Sequence, residues 1–316
     1  ARPTVSIETA SFPFVLATHD SLREKYMSLI IENSDGAIGA AVSGVDLTGE
    51  ISDADFATVQ QTIDARAVVV LRDQVGLPSS HLARFARRFG TPQINVRAEA
   101  NNDENPDVFW VSNVHENGKP LGSHDAGRYW HSDLCYLAKP SGVTLLHALE
   151  VPTKDGVTYG ATQFAGAAAA YDALSADLKK QIDGLKARNG YRFMWNRKAH
   201  EFGKRPVLSE AELQKFPEDA IHPIARTHPQ TGRKCLYVCD GYTHAIEGME
   251  KSESDKLLAH LFKHIVKPDF GYSHEWRVGD LLIWDNCAVQ HKARFDYPPE
   301  LRRRMQRCTI EGTVPY

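Results

Sequence analysis

The chain has 316 residues, of which 42% are hydrophobic and 24% are charged, and its formal net charge is −3. This composition is typical of a soluble globular protein, and the weak net charge argues against a basic surface for nucleic acid. No apolar run approaches the roughly 20 residues that span a bilayer, and no secretory signal is visible. The five cysteines form no CxxC pair. We therefore expect a cytoplasmic protein with reduced thiols and with neither a membrane nor a nucleic-acid partner.

Strand and helix signals alternate in the first third of the chain, after a polar N-terminal extension at residues 1–36 with one helix at Asp20–Ile31. Ser52 is a suitable N-cap and Gly90 a suitable C-cap for the two helices that follow this extension. The expected elements are a strand at Ala37–Leu47, a helix at Asp53–Ala65, a strand at Ala67–Leu71 and a helix at Ser80–Phe89.

From Asp107 onward, short β-prone runs separated by Gly, Pro and polar turns dominate the pattern. The expected strands are Val108–Val114, Tyr129–Tyr136, Gly142–Val151 and Thr158–Phe164. Two helices follow, at Ala165–Leu174 and at Ala176–Leu185, the second capped by Ser175. Residues 196–218 are charged without a clean period, which indicates a long, lid-like insertion.

The last third predicts a hairpin, a helix and a second hairpin. Its elements are Ile224–His228, Lys234–Cys239, the helix Ser254–Val266, and the strands Leu281–Trp284, Val289–Ala293 and Arg303–Ile310. Many short strands with helices at their ends favour a mainly β protein, a double-stranded β-helix (jelly roll, cupin-like), over a parallel α/β sheet. We expect residues 37–316 to form a single domain.

The segment Trp130-His131-Ser132-Asp133 is a candidate metal site. Residues two apart on a strand point to the same face, so His131 and Asp133 would present an imidazole and a carboxylate side by side. A distant histidine such as His291 would complete a two-histidine, one-carboxylate face. Its open coordination positions suit iron(II) oxygenases better than structural zinc, which is closed by four protein ligands.

An arginine run near the C-terminus is the second unusual feature. With a period of two, Arg303 and Arg307 share one face of a strand that returns beside His291, although the triple arginine leaves Arg302 as an alternative to Arg303. An arginine that faces an apolar interior needs an anion, and the planar guanidinium suits a carboxylate held by two hydrogen bonds. Two inward arginines therefore predict two bound anions.

Three motifs together resemble the family of taurine dioxygenase and 2,4-dichlorophenoxyacetate dioxygenase: Trp-His-x-Asp at 130–133, Trp-Asp-Asn-x4-His at 284–291 and Arg-x-Met-x-Arg at 303–307. The resemblance extends over roughly Ala37 to Gly312. It implies an Fe(II)- and 2-oxoglutarate-dependent dioxygenase that hydroxylates an aliphatic C–H bond with O₂. Succinate and CO₂ are the implied co-products, the implied substrate is small and anionic, and the family makes a homo-oligomer the expected state.

The resemblance also implies roles for single residues. His131, Asp133 and His291 match the iron ligands. Thr158, in Gly156-Val157-Thr158, matches the threonine whose hydroxyl binds the carboxylate of 2-oxoglutarate, and Arg303 matches the arginine that pairs with the same carboxylate. Arg307 matches a second arginine, near the metal, that meets the sulfonate or carboxylate of the substrate. Taurine dioxygenases have an asparagine where this chain has Gly127, which argues against taurine itself.

Two other functions are compatible with parts of the pattern. A zinc-dependent hydrolase would use the metal ligands, but it requires a general base near the metal and has no use for Arg303 and Arg307. A non-catalytic metal-binding β-barrel would bind a metal without any oxygen-dependent decarboxylation. Neither alternative accounts for the histidines, the carboxylate, the threonine and the arginines together.

Overall fold

The computed structural model describes residues 29–93, 101–102, 105–116, 118–122, 126–202 and 206–316. The strands of these residues are β1 Ile30–Asn33, β2 Ala40–Ser43, β3 Val68–Leu71, β4 Asn101–Asn102, β5 Asn105–Ser112, β6 His115–Glu116, β7 Lys119–Pro120, β8 Ser141–Glu150, β9 Thr153–Lys154, β10 Val157–Thr158, β11 Thr162–Gly166, β12 Lys186–Asn189, β13 Ala220–Pro223, β14 Ala225–Thr227, β15 Lys234–Leu236, β16 Thr243–Ile246, β17 Gly271–His274, β18 Leu281–Asp285, β19 Val289–Ala293 and β20 Arg304–Glu311. The helices are α1 Asp53–Arg66, α2 Ser79–Ala86, α3 Ala167–Asp172, α4 Ala176–Ile182, α5 Tyr191–Phe202, α6 Glu210–Leu213 and α7 Lys251–Ile265.

Eight strands form one mixed sheet in the order β1-β2-β3-β18-β8-β20-β5-β4. β2 and β3 are parallel, and the other neighbours are antiparallel. Helices α1 and α2 cover one face, where Ile63 and Leu82 pack against Leu71 in a buried apolar cluster. Ser52 caps α1 as predicted, since its Oγ accepts a hydrogen bond from the backbone N–H of Asp55 at 3.0 Å.

A smaller antiparallel sheet, β17-β11-β19, faces the other side of the large sheet. Phe164 of β11 meets Trp284 of β18 with ring centroids 5.6 Å apart. Met305 of β20 lies in the same buried cluster. The described residues therefore form a mixed sheet and a facing sheet with helices outside them, and their strands do not close into a barrel. This layered β architecture agrees with the expected mainly β class.

A third group of elements packs at one end of the small sheet. Helices α3, α4 and α7 share a core with β12, β15 and β16, in which Leu261 of α7 is fully buried. Ser175 caps α4 as predicted, since its Oγ accepts from the N–H of Leu178 at 3.2 Å. The predicted hairpin is also present, with β14 and β15 antiparallel. Among the described residues, no helix is long and apolar enough to cross a bilayer.

The strand predicted at Tyr129–Tyr136 is wrong, because only His131 pairs in β fashion and the chain turns at Leu134, whose φ is +52°. Residues 196–218, which lack a clean period in sequence, contain the end of α5 at Phe202 and α6, which begins in a capping box at Ser209. The lid-like role of this segment stays a prediction. In both places contacts to other elements override a weak local pattern.

Two predicted features concern the N-terminus. Most of the predicted helix at Asp20–Ile31 lies outside the described residues. Within the predicted extension, β1 forms the edge strand of the large sheet and pairs with β2.

Candidate metal centre

The side chains of His131, Asp133 and His291 converge at one point between the two sheets. The Nε2 atoms of His131 and His291 lie 3.6 and 3.7 Å from Oδ1 of Asp133. One ligand atom from each residue lies within 4.8 Å of the others, and all three residues are buried. Of the His, Cys, Asp and Glu residues that the structure describes, these three form the group suited to a metal ion. Two imidazoles and one carboxylate form the facial arrangement that leaves coordination positions open.

Backbone pairing brings these ligands together across the chain. His131 and His291 exchange two hydrogen bonds, with the N–H of His131 3.1 Å from the carbonyl oxygen of His291 and the reverse pair at 2.8 Å. The hydroxyl of Ser132 donates to the carbonyl oxygen of Asn286 at 2.6 Å. The side chains of His131 and Asp133 therefore point to the same side, as they would in a strand, although residues 129–136 do not form a strand.

Hydrogen bonding and burial prepare the ligand atoms for a cation. Nδ1 of His131 donates to the carbonyl oxygen of Tyr129 at 2.9 Å, which leaves the lone pair on Nε2. Burial lowers the pKa of His131 and that of His291, so both imidazoles are neutral at pH 7. Burial by itself would raise the pKa of Asp133, but Arg307 and the two histidines hold it below its ordinary value. Neutral imidazoles and an ionised carboxylate are the forms that bind a metal.

A layer of hydrogen bonds behind Asp133 fixes its orientation. Oδ2 of Asp133 accepts from the Thr144 hydroxyl at 2.8 Å and from Nη2 of Arg307 at 2.5 Å. The amide of Asn286 accepts from the backbone N–H of Asp133 and from Nε1 of Trp284, both at 3.1 Å, and donates to Thr144 at 2.9 Å. Sequence reasoning did not assign a role to Thr144 or Asn286, although Asn286 stands in the Trp-Asp-Asn motif.

Asn286→Ala is expected to weaken the binding of a divalent metal by about 10–100-fold, the usual effect of removing a group that orients metal ligands. Calorimetric titration with Mn²⁺ measures this loss. Asn189→Ala is the matched control, because Asn189 is equally buried and accepts a hydrogen bond from Thr243 rather than from the metal ligands. Equal Mn²⁺ affinities in the two variants would contradict the role of Asn286.

The adjacent arginines Arg302 and Arg303 differ in burial and in their ionic partners. Arg303 is 7% exposed, and within the described parts of the chain its guanidinium has neither an ion pair nor a hydrogen bond. Its guanidinium lies 6.0 Å from the ring of Trp276, and burial lowers its pKa. Arg302 is exposed and pairs with Glu150 at 2.5 and 3.0 Å. Of these two arginines, Arg303 is thus buried without an anion among the described residues, and Arg302 is a surface residue.

The two Gly-x-Thr sequences of this region also differ. Thr158 lies on β10 and pairs with Thr153 in a peripheral hairpin, which turns at Asp155 and Gly156 with φ of +52° and +78°. Thr162, in Gly160-Ala161-Thr162, is 3% exposed, and its hydroxyl accepts from Nε1 of Trp276 at 3.1 Å. Thr158 is the threonine predicted to bind 2-oxoglutarate, and the spacing in sequence alone does not distinguish it from Thr162.

Thr162 and Arg303 both lie beside Trp276. The hydroxyl of Thr162 is 3.1 Å from Nε1 of Trp276, and the guanidinium of Arg303 is 6.0 Å from its ring. The hydroxyl hydrogen of Thr162 has no acceptor among the described residues. A hydroxyl donor and a buried guanidinium beside one indole ring are groups suited to binding a carboxylate. The assignment of Thr158 stays a prediction.

Arg307 lies on the face of β20 that points between the sheets, as the period of two predicted. Its guanidinium packs 5.2 Å from the ring of Phe109 and 5.9 Å from that of Trp284. Nη2 is bonded to Asp133, and Nε donates to the Thr309 hydroxyl at 3.2 Å. Arg307 therefore supports a metal ligand in addition to any contact with a substrate.

Comparisons with known proteins agree with this geometry. The family model "Taurine catabolism dioxygenase TauD, TfdA family" matches residues 31–309. An alpha-ketoglutarate-dependent 2,4-dichlorophenoxyacetate dioxygenase from a Burkholderia sp. is 32% identical over 86% of this chain and 90% of its own length. Pentalenolactone F synthase from Streptomyces arenae is 31% identical, with coverages of 85% and 90%. The crystal structure of AAD-2 with Mn(II) and N-oxalylglycine superposes with a TM-score of 0.74 and 30% identity, over 92% of this chain and 99% of that one. The chain therefore belongs to the TauD, TfdA family, which confirms the predicted enzyme class of 2-oxoglutarate-dependent dioxygenase.

Proposed function

We propose that this protein binds iron(II) through His131, Asp133 and His291, and uses 2-oxoglutarate and O₂ to hydroxylate an aliphatic C–H bond of a small anionic substrate. The observation that carries the proposal is the pairing of an open three-ligand group with a buried arginine that lacks an anion. We also propose that the two facing sheets are the halves of a double-stranded β-helix. The homo-oligomeric state and the cytoplasmic location stay predictions.

The donor set fits the proposed metal. Two neutral imidazole nitrogens and one carboxylate oxygen occupy one side of a common point, and the described residues supply no fourth protein ligand to close the site. When bound there with 2-oxoglutarate, iron(II) supplies the activation of O₂ that C–H hydroxylation requires. Phe164 and Trp284 pack against the ring of His291, at 5.9 and 4.8 Å, and exclude water from that side.

The protein's own groups hold the co-substrate and the substrate. Arg303 and the hydroxyl of Thr162 would bind the carboxylate of 2-oxoglutarate that is remote from the metal, since both donors lie beside Trp276. Arg307 would bind the anionic group of the substrate through Nη1, which makes no hydrogen bond within the residues described. Its bond to Asp133 holds the guanidinium beside the metal ligands.

Thr162→Val is expected to raise the dissociation constant of 2-oxoglutarate by about 10–150-fold, the loss of one hydrogen bond to a charged group. Thr158→Val should leave that constant unchanged, because Thr158 lies in the outer hairpin. Anaerobic calorimetric titration of 2-oxoglutarate into each Mn²⁺-loaded variant decides between the two threonines. A higher dissociation constant in Thr158→Val, with an unchanged one in Thr162→Val, would show that Thr158 binds 2-oxoglutarate.

The proposed function is tested by adding iron(II) and 2-oxoglutarate to the apoprotein without oxygen. We expect the weak visible charge-transfer band of a 2-oxo acid chelated to iron(II), and its loss in His131→Ala. His260→Ala is the matched control, because His260 is an exposed histidine on α7. Iron binding without the band would contradict the proposal and favour a zinc hydrolase or a non-catalytic metal-binding protein.

A further inference from the structure

The loop that follows Cys239 is pressed against the segment that carries the metal ligands. The N–H of Gly241 donates to the carbonyl oxygen of Trp130 at 3.0 Å. A Cβ atom on Gly241 would lie 2.9 Å from that oxygen and 3.0 Å from Cβ of Tyr129, closer than ordinary contacts allow. The absence of a side chain at this position therefore permits the loop to bring Tyr242 beside His131.

Three tyrosine rings extend from His131 to α5. The ring of Tyr242 lies 6.1 Å from that of His131 and is stacked on Tyr136 at 5.3 Å with 25° between the planes. Tyr136 in turn contacts Tyr191, at the start of α5, at 4.8 Å. The backbone adds to this arrangement, since the N–H of Gly190 donates to the carbonyl oxygen of Tyr242 at 2.9 Å. We call Tyr136, Tyr191 and Tyr242 the tyrosine wall.

The hydroxyl of Tyr242 is the polar group of this wall that lacks a partner. In the described portion of the chain it makes no hydrogen bond, whereas the hydroxyl of Tyr129 donates to Glu201 at 2.6 Å. A tyrosine hydroxyl in a largely buried position normally finds a partner, because an unsatisfied donor costs free energy. A phenol has an ordinary pKa of about 10, so this group is a neutral donor at pH 7.

We propose that Tyr242 is a specificity-determining residue, whose ring and hydroxyl contact the bound substrate and select a planar, unsaturated group next to a hydrogen-bond acceptor. This inference rests on the proposed function and adds the chemistry of the part of the substrate that does not carry the charge. The stacked rings of the wall favour a planar group by offset or edge contacts, and the hydroxyl supplies one directional bond. Arg307 remains the residue for the anionic group.

The test uses two carboxylates that differ only in the ring, phenoxyacetate and cyclohexyloxyacetate. Each is titrated calorimetrically, without oxygen, into the full-length protein loaded with Mn²⁺ and 2-oxoglutarate. We expect wild type to bind phenoxyacetate more tightly than cyclohexyloxyacetate. Tyr242→Phe should weaken both by about 5–10-fold through the lost hydrogen bond, and Tyr242→Leu should also abolish the preference for the planar ring. Tyr171→Phe, at a ring that contacts Lys179 on α4, is the control.

Two results would overturn the inference. One is a wild type that shows no preference for phenoxyacetate, including one that binds neither compound, and the other is a pair of Tyr242 variants that match wild type in both dissociation constants. Failure of the proposed function gives a different result, because the iron(II) and 2-oxoglutarate band would then be absent from wild type itself. An intact band with unchanged binding in the Tyr242 variants removes only the role of Tyr242.

Discussion

Asp133→Ala is expected to abolish measurable iron(II) binding and to lower the free energy of unfolding by about 3–5 kcal/mol. The first effect follows from the loss of the anionic ligand of the group. The second effect comes from Arg307, whose side chain is 13% exposed and would be left without its bonded carboxylate. Thr144 would lose its acceptor at the same time. Equilibrium dialysis of the metal and urea unfolding of the apoprotein measure the two effects separately.

A second substitution separates the loss of iron binding from the loss of stability. Adding Arg307→Met to Asp133→Ala removes the uncompensated charge, so the double variant should regain most of the lost stability and still bind no iron. This coupling is the signature of a buried pair, since independent sites would show additive losses. Metal binding in the double variant, or a stability below that of the single variant, would contradict the arrangement described for Asp133 and Arg307.

Arg303→Met is expected to act in opposite directions on binding and on stability. The dissociation constant of 2-oxoglutarate should rise at least about 30-fold, the lower end for loss of a buried, hydrogen-bonded charge pair. The apoprotein should become more stable by about 1–4 kcal/mol, because the buried guanidinium has no anion in the described structure and methionine fills a similar volume. Titration of 2-oxoglutarate and urea unfolding without it measure both changes.

Arg302→Met is the matched control for this experiment. Arg302 is the preceding residue of the same run, but it is exposed and pairs with Glu150. Its replacement should leave 2-oxoglutarate binding unchanged and leave the urea-unfolding midpoint close to that of wild type, as is usual for surface ion pairs. Loss of 2-oxoglutarate binding in Arg302→Met, with normal binding in Arg303→Met, would show that the register of the arginine run had been assigned wrongly.

The tyrosine wall illustrates a limit of reasoning from sequence. Tyr136, Tyr191 and Tyr242 lie far apart along the chain and share no periodic pattern. Tyr191 starts a helix for which no sequence prediction was made, and Tyr242 follows a glycine whose close approach to Trp130 is visible only in three dimensions. A set of residues from three separate segments can be recognised once their rings have been placed, since aromatic contacts depend on distance and orientation.

The sequence by itself determined the residue types and spacings that chemistry requires. His131 and Asp133 stand two apart, His291 follows the Trp-Asp-Asn motif, and Arg303 and Arg307 stand four apart near the C-terminus, because these features are local or periodic. The tertiary structure alone showed how far residues that look equal in sequence differ in burial. Arg303 is buried and Arg302 is exposed, and likewise Thr162 is buried and Thr158 lies in an outer hairpin. Burial depends on how the sheets pack, and the residue's neighbours along the chain do not determine it.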